Sequence, residues 1–215
     1  METKQLYEKY RPRAWADVLG QEKVIERIDA LRSRGLAGRA YWLSGSSGTG
    51  KTTIARLLAA EIATEHYIEE IDATSLTPAD LRRIEEAMQL YSFGKGGRAY
   101  IINEAHGLSK AAVRQLLVLL ERLPSHVMVI FTTTTEAQET FFDDKEDAGP
   151  LLSRCLRFDL ARRGLAQAFA AKCHEIASKE GLNGKPIEQY VRLAQDCRNN
   201  FRAMLQNVES GAMLA

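Results

Sequence analysis

The sequence predicts an α/β protein in which a parallel sheet is flanked by helices, together with a small all-α region. Two observations support this prediction. Four short apolar runs alternate with helical patterns between residues 21 and 135, and from Leu160 onward helical patterns follow one another without a strong strand. Parallel strands joined by helices are covered on both faces, which suits apolar runs. We therefore predict two domains, residues 1–159 and 160–215.

Each predicted element rests on a local pattern. The strand candidates are AYWLSG (40–45), YIEEID (67–72), RAYIINEA (98–105) and HVMVIFTTTT (126–135). The helical patterns cover 21–35, 51–65, 77–91 and 109–122. Thr77 followed by Pro78 predicts one helix start, and Ser109 predicts another, because a side-chain oxygen can cap the first free N–H groups. The polar segment FFDDKEDAGP (141–150) predicts a loop.

Composition and charge narrow the class of protein. The chain has 29 basic and 28 acidic residues, so its net charge gives no support to a general polyanion-binding role. No apolar run approaches the length of a membrane span, and METKQLYEKYRPR lacks an apolar signal core, so we expect a cytoplasmic protein with no membrane partner. Cys155, Cys173 and Cys197 form no CxxC pair, so we expect neither a disulfide framework nor a structural zinc site.

The segment GSSGTGKT fits the pattern G-x-x-x-x-G-K-[ST], with a predicted strand before it and a predicted helix after it. Its glycines allow backbone N–H groups to point inward and cradle phosphate oxygens at a helix N-terminus. Lys51 would reach the β- and γ-phosphates, and the Thr52 hydroxyl would face Mg²⁺. The alternative is a glycine-rich turn that binds nothing. The predicted nucleotide-binding residues here are Gly45, Ser46, Ser47, Gly48, Thr49, Gly50, Lys51, Thr52 and Thr53.

A second polar segment, IINEAH, follows an apolar strand candidate. In a phosphate-loop protein an acidic pair stands at this place. Glu104 would orient the water that attacks the γ-phosphate, and Asn103 would occupy the position of an Asp that holds a water of the Mg²⁺ shell. The alternative is an ordinary loop after a core strand. Asn103 brings no negative charge, and Mg²⁺ favours carboxylate oxygens. We therefore predict that ATP hydrolysis is slow rather than absent.

Taken along the chain, the motifs and their order resemble those of a AAA+ ATPase of the DNA-polymerase clamp-loader type, in particular the bacterial DNA polymerase III γ/τ subunit. The resemblance covers nearly all 215 residues. It implies a AAA+ phosphate-loop domain with a helical lid, and ATP bound between them with Mg²⁺. The segments that carry it are YEKYRPRAWADVLGQE, GSSGTGKT, IEEIDATSLTPADLRRI, IINEAHGLSKAAVRQLLVLLE, FTTTTE, LLSRC and NNFRAML.

The resemblance also implies roles for residues outside the phosphate loop. The N-terminal segment would pack on the adenine through Tyr10, Arg11 and Pro12, with Val18 and Leu19 as apolar walls. Tyr10 could instead be a core aromatic residue.

Three further roles concern the reacting phosphate. Thr134 or Thr135 would lie near the γ-phosphate as sensor 1, and Arg202 would reach the nucleotide from the lid as sensor 2. Arg154 of LLSRC would act on a neighbouring subunit's γ-phosphate as an arginine finger. A surface arginine is the alternative for Arg154, and an exposed helix charge is the alternative for Arg202.

Several features depart from the family pattern. The cysteine-rich zinc module that γ/τ chains carry after the phosphate-loop helix is missing, and Asn103 replaces an Asp. The acidic segment before LLSRC is longer than expected. Clamp-loader subunits carry a collar domain after the lid, which assembles the pentamer. Because the sequence ends at Ala215, we expect either a shortened chain or one that assembles differently or not at all. We therefore expect oligomers only with a collar domain or with partner subunits.

The leading functional prediction is an ATPase that loads a sliding clamp on DNA in replication. Its partners would be other clamp-loader subunits, the clamp and primer-template DNA, which is bound without sequence specificity. One alternative is a nucleotide-sensing subunit that hydrolyses ATP little or not at all. Another is a stand-alone AAA+ regulator that acts on a different protein or nucleic acid.

Overall fold

A computed structural model describes residues 4–135, 137 and 148–214. Within these residues, five strands form one sheet in the order β2-β3-β4-β1-β5, and every neighbouring pair is parallel. The strands are β1 Arg39–Ser44, β2 Ile68–Asp72, β3 Arg98–Asn103, β4 Val127–Thr133 and β5 Cys155–Asp159. The predicted α/β class with a parallel sheet is therefore confirmed.

The helices follow the predicted alternation. They are α1 Leu6–Lys9, α2 Glu22–Arg32, α3 Lys51–Ile62, α4 Pro78–Met88, α5 Lys110–Glu121, α6 Ala148–Ser153, α7 Ala166–Lys179, α8 Ile187–Asp196 and α9 Phe201–Glu209. Both predicted caps are present. The Thr77 hydroxyl accepts from the Asp80 N–H, and the Asp80 carboxylate accepts from the Thr77 N–H in return. The Ser109 hydroxyl accepts from the Ala112 N–H.

Three details differ from the sequence prediction. Strands β3 and β4 each end two residues earlier than predicted, because the chain turns at Glu104 and Thr134. Strand β5 was not predicted. Residues 148–150, assigned to a loop from sequence, begin α6, while residues 141–147 of that predicted loop lie outside the described residues.

The central strands of the sheet are apolar because they are buried, whereas the edge strands are not. Every residue of β4 is buried, whereas most residues of the edge strands β2 and β5 are partly or fully exposed. On one face Trp42 packs against Phe131, with ring centroids 5.4 Å apart. This face is covered by α4, α5 and α6, through Leu81, Ile84, Met88, Val113, Leu116, Leu119 and Leu151.

The chain separates into two compact units. The described parts of residues 23–45 and 51–160 form the sheet unit, and those of 1–22, 46–50 and 161–215 form the helical unit. The helical unit therefore includes the N-terminal segment and the central residues of the phosphate loop. The predicted division into domains 1–159 and 160–215 remains a prediction.

The helical unit has its own apolar core, built mainly by α7, α8 and α9. Its most buried large side chains include Phe169, Ile176, Tyr190, Met204 and Val208. The N-terminal segment joins this core through Leu6, with Tyr7, Tyr10 and Leu19 packed against it. No described helix is long and apolar enough to cross a membrane.

Candidate functional site

The predicted phosphate loop follows β1 directly and leads into α3. In the sheet unit, Gly45 is buried immediately after the strand. The Lys51 side chain is also buried, and its Nζ donates to the Gly45 carbonyl at 2.9 Å. Thr52 is partly exposed and Thr53 is buried. A cationic group is thus held where α3 begins, which is the end of a helix that attracts anions.

The central residues of the loop belong to the helical unit and are supported by its side chains. Arg162 Nη1 lies 3.3 Å from Ser46 Oγ. The Thr49 hydroxyl donates to the Ser46 carbonyl at 2.8 Å, and the Thr49 carbonyl accepts from the Gln21 side chain at 3.4 Å. Ser47 is exposed. Side chains of the helical unit therefore contact the loop at Ser46 and Thr49.

Gly48 and Gly50 have φ angles of +75° and +101°, which residues with a Cβ rarely adopt. Gly48 is also constrained by space. A Cβ at this position would lie 2.0 Å from Asn200 Oδ1, which caps α9 by accepting from the Ala203 N–H. Asn200 was not singled out by its sequence, because only the fold brings it to Gly48.

The end of β3 is arranged around the Asn103 side-chain amide. Its Oδ1 accepts from the Thr132 hydroxyl at 2.8 Å, and its Nδ2 donates to Glu70 Oε1 at 2.7 Å. Glu70 also accepts from Arg56 Nε at 2.8 Å. Asn103 therefore links β4 to β2, and its hydrogen-bond partner on β2, Glu70, carries a negative charge.

Glu104 follows immediately and has a left-handed backbone, with φ 51° and ψ 50°. This conformation is costly for a residue with a Cβ and is often found at functional sites. The Glu104 carboxylate is partly exposed and lies 3.5 Å from His106 Nδ1. The same ring nitrogen is 3.2 Å from the Thr133 hydroxyl. His106 thus contacts both Thr133 and Glu104, the carboxylate predicted to orient the attacking water.

The predicted sensor 1 residues come just after β4. The Thr134 hydroxyl accepts from the Ala137 N–H at 3.4 Å, and Thr135 is exposed. Thr132 and Thr133, the last two residues of β4, contact Asn103 and His106 respectively. A run of four threonines does not reveal which member turns toward the neighbouring strand.

Arg154 lies just after α6. Its guanidinium donates to the Pro150 carbonyl at 3.0 Å and forms an ion pair with Glu121 at the end of α5. About a third of the Arg154 side chain is exposed. A surface location suits a residue that acts on another subunit, and Glu121 is its partner within this chain.

The remaining predicted residues lie in the helical unit. The Arg202 guanidinium stacks over the Tyr7 ring at 5.2 Å from its centroid. The Tyr10 hydroxyl donates to Glu180, which also pairs with Lys9.

These contacts of Glu180 have an electrostatic consequence. The hydrogen bonds from Lys9 and Tyr10 lower the pKa of the Glu180 carboxyl, and the bond to Glu180 raises the pKa of Tyr10. Close by in the sequence, Arg11 pairs with Glu8, while Pro12 and Val18 are partly exposed. Their predicted contact with adenine remains a prediction.

The residues present suit a nucleotide phosphate better than they suit a metal. The backbone N–H groups where α3 begins and the buried Lys51 ammonium are donors of the kind that bind phosphate, and Gly48 and Gly50 have the positive φ angles that such loops use. For Mg²⁺ the predicted groups are the Thr52 hydroxyl and Asn103, which are oxygen donors without charge. The described residues contain no cluster of three or more His, Cys, Asp or Glu side chains that could hold a metal ion.

Comparison with known proteins agrees with this arrangement. Residues 41–157 match the family model described as "ATPase family associated with various cellular activities (AAA)". The DNA polymerase III subunit tau of Salmonella typhimurium is 35% identical over 205 residues, covering 84% of this chain and 30% of that protein. The DNA polymerase III subunit gamma of Buchnera aphidicola subsp. Schizaphis graminum is 31% identical over 231 residues, covering 97% of this chain and 61% of that protein.

Among solved structures, a RuvB variant of Thermotoga maritima has the same fold, with a TM-score of 0.72 at 20% identity. The match covers 93% of this chain and 64% of the RuvB chain. This chain spans about a third of the length of the tau subunit from Salmonella. A family match over more than half of the chain, the phosphate loop and the parallel sheet order lead to one conclusion. The chain belongs to the AAA family of ATPases and is related to DNA polymerase III gamma and tau subunits.

Proposed function

We propose that this chain binds ATP at residues 45–53 and hydrolyses it slowly, as a clamp-loader-like ATPase in DNA replication. The observation that carries the proposal is the phosphate loop, in which a buried Lys51 and two glycines of positive φ stand at the start of α3. Lys51 offers its charge to the β- and γ-phosphates. The adenine packs on the N-terminal segment around Tyr10.

Hydrolysis requires a water molecule aimed at the γ-phosphorus. Glu104 accepts a hydrogen bond from that water, and His106 lies 3.5 Å from its carboxylate. Mg²⁺, when bound with ATP, offsets phosphate charge, and Thr52 and Asn103 are the residues that would face it. Asn103 Oδ1 already accepts from Thr132. It retains one lone pair for a water but brings no charge, so we expect weak Mg²⁺ dependence and slow turnover.

The engaged amide of Asn103 also supports a second candidate function. A subunit that binds ATP and changes its assembly, without appreciable hydrolysis, needs the phosphate loop but no carboxylate at position 103. Both candidates share ATP binding and differ in turnover.

The similarity to DNA polymerase III gamma and tau subunits supports the proposed partners. These are other clamp-loader subunits, a sliding clamp and primer-template DNA. In such an assembly Arg154 would leave Glu121 and reach a neighbour's γ-phosphate, while Arg202 would act in cis from α9.

The first experiment measures equilibrium binding of a fluorescent ATP analogue by the parent and by Lys51→Ala. We expect the variant to bind about 100-fold more weakly or worse, because charge-assisted contacts to phosphate are among the strongest in proteins. Equal affinity would overturn the phosphate-loop proposal.

A second experiment separates the two candidate functions. Steady-state hydrolysis is measured for the parent and for Glu104→Gln, with and without clamp, primed DNA and partner subunits. Turnover that these components stimulate and that Glu104→Gln abolishes supports the clamp-loading ATPase. Turnover no higher than that of Glu104→Gln under every condition supports the non-hydrolysing subunit.

A further inference from the structure

Gln21 is a buried polar residue near the end of the N-terminal segment, and none of the predicted roles fell on it. It is only 2% exposed and lies just before α2. Its side chain contacts two backbone segments that are far away in sequence, at Thr49 in the phosphate loop and at Ala161 ahead of α7. All three residues belong to the helical unit.

The orientation of the Gln21 amide is fixed by its partner at position 161. The Ala161 N–H donates to Gln21 Oε1 at 2.8 Å, and only the oxygen of the amide can accept that bond. Gln21 Nε2 donates to the Ala161 carbonyl at 3.0 Å. The second hydrogen on Nε2 is therefore directed elsewhere, and the Thr49 carbonyl lies 3.4 Å away.

Fixing the Thr49 carbonyl also fixes the Gly50 N–H. These two groups belong to one peptide unit, which is planar and trans, so they point in opposite directions. When the carbonyl points outward to Gln21, the N–H points to the inner side of the loop. Gly50 has a φ of +101°, and no neighbouring atom lies within 4 Å of the position a Cβ would take. Packing around Gly50 therefore does little to hold the Thr49–Gly50 peptide in place.

We propose that Gln21 is a positioning residue: it holds the Thr49–Gly50 peptide with its N–H turned toward the bound phosphate and ties the loop to the segment that begins at residue 161. The proposal rests on the proposed function, because it assigns a task to the loop that binds ATP. Gln21 does not touch the nucleotide and acts through the backbone of the loop.

The first test compares the affinity for a fluorescent ATP analogue among Gln21→Met, Gln21→Glu and the parent. Met has a similar length but no donor, so we expect about tenfold weaker binding at every pH. Gln21→Glu keeps the acceptor for the Ala161 N–H but turns a carboxylate toward two carbonyl oxygens. Its defect should be larger at about pH 8 than at about pH 6, because burial raises a carboxyl pKa and a protonated carboxyl can donate.

A matched control is Tyr190→Phe, which removes one buried donor from the same unit, bonded to Asn183 at 3.1 Å and not to the loop. We expect its affinity to stay within about twofold of the parent. A second readout is the Gly50 amide proton in NMR spectra, which should shift downfield with ATP in the parent and much less in Gln21→Met. A general loss of stability would not act on this one signal.

If the variants fail to fold, hydrogen exchange in the parent decides. The Gln21 side-chain amide should exchange far more slowly than that of Gln206, which is exposed. Equal exchange rates, or Gln21→Met binding ATP as tightly as the parent, would overturn this inference alone. A parent that binds no ATP would overturn the proposed function, and the inference with it.

Discussion

The phosphate loop and the end of β3 both follow central strands of the sheet, yet they are built in different ways. The loop depends on backbone geometry, with Gly48 and Gly50 at positive φ and a helix starting at Lys51. The end of β3 depends on side chains, since Asn103 bonds Thr132 on one side and Glu70 on the other. Backbone sites tolerate few changes, whereas side-chain networks can exchange one polar group for another if the partners change as well.

This difference has a consequence for how each region departs from its family pattern. The loop keeps the full pattern from Gly45 to Thr52. At the end of β3, where the resemblance predicts an Asp, this chain has Asn103, and Glu70 accepts the N–H that an Asp would lack. Three changes can break or sharpen this comparison.

The largest effect is expected from Gly48→Ala. The new Cβ would meet Asn200 at 2.0 Å, and the φ of +75° would add backbone strain. A residue with a Cβ in this region costs on the order of 1–3 kcal/mol. We expect both lower stability in denaturant and about tenfold or greater loss of affinity for ATP.

The matched control for Gly48→Ala is Gly164→Ala in the same unit, where φ is +77° and no atom lies within 4 Å of a Cβ position. It carries the backbone strain without the clash, so it should lose stability and keep ATP affinity. Equal stability loss in both variants would show that Asn200 yields easily and that the loop tolerates a side chain.

An intermediate effect is expected from Asn103→Asp. The new carboxylate would face Glu70. In the parent, Glu70 Oε1 lies 2.7 Å from Asn103 Nδ2, the atom that an oxygen of the Asp would replace. Like charges at this distance raise the pKa of one of the two acids, so the folded state binds more protons than the unfolded state. Stability is then lost as the pH rises through that raised pKa. We expect a loss on the order of 1 kcal/mol at about pH 8 and a smaller loss at about pH 5.

The control exchanges the two groups across the same hydrogen bond. In Asn103→Asp with Glu70→Gln, the Gln amide can donate to the Asp, so stability at about pH 8 should recover relative to the single variant. ATP binding over a Mg²⁺ titration should show a lower midpoint for this pair, because a carboxylate now stands at 103. A single variant as stable as the parent at both pH values would argue that Glu70 does not constrain Asn103.

The smallest effect is expected from Thr132→Val, which removes the hydroxyl that donates to Asn103 while keeping the shape of a side chain that is 1% exposed. Because Asn103 is partly exposed, water can replace the lost donor, so we expect a loss of about 0.5 kcal/mol, the lower end for one hydrogen bond, measured by thermal unfolding. Thr134→Val is the comparison: it should affect stability less, and it should slow hydrolysis if Thr134 is sensor 1. A larger loss of stability in Thr134→Val than in Thr132→Val would show that the structurally important hydroxyl is that of Thr134.

The sequence predicted the central part of the fold well because its signals are local. β4 is buried throughout and reads as one apolar, β-branched run, and the helix starts at Thr77 and Ser109 carry their own capping side chains. β5 was missed because CLRFD is an edge strand that, among the described strands, pairs with β1 alone, and most of its residues are partly or fully exposed. An edge strand needs less apolar sequence, so its pattern is weak.

The candidate site was predictable to the extent that it is made of backbone. The glycine and lysine spacing of the loop identifies it without knowledge of the fold. Glu70, Thr132, Gln21 and Asn200 could not be singled out, because each acts through a partner at least 28 residues away along the chain. Such pairs depend on strand order and on packing, which no local pattern records.

The strand order also determines when the sheet can be completed during synthesis. β1 is the first strand in the chain, yet its two neighbours in the sheet are β4 and β5, which are made last. A nascent chain therefore carries an apolar strand with both edges unpaired until residue 127 and beyond has emerged. The unit β2-α4-β3 joins neighbouring strands and can form before then. We expect β1 amides to gain protection last in pulse-labelled hydrogen exchange, and the phosphate loop, which follows β1, to be among the last parts of the protein to become competent to bind ATP.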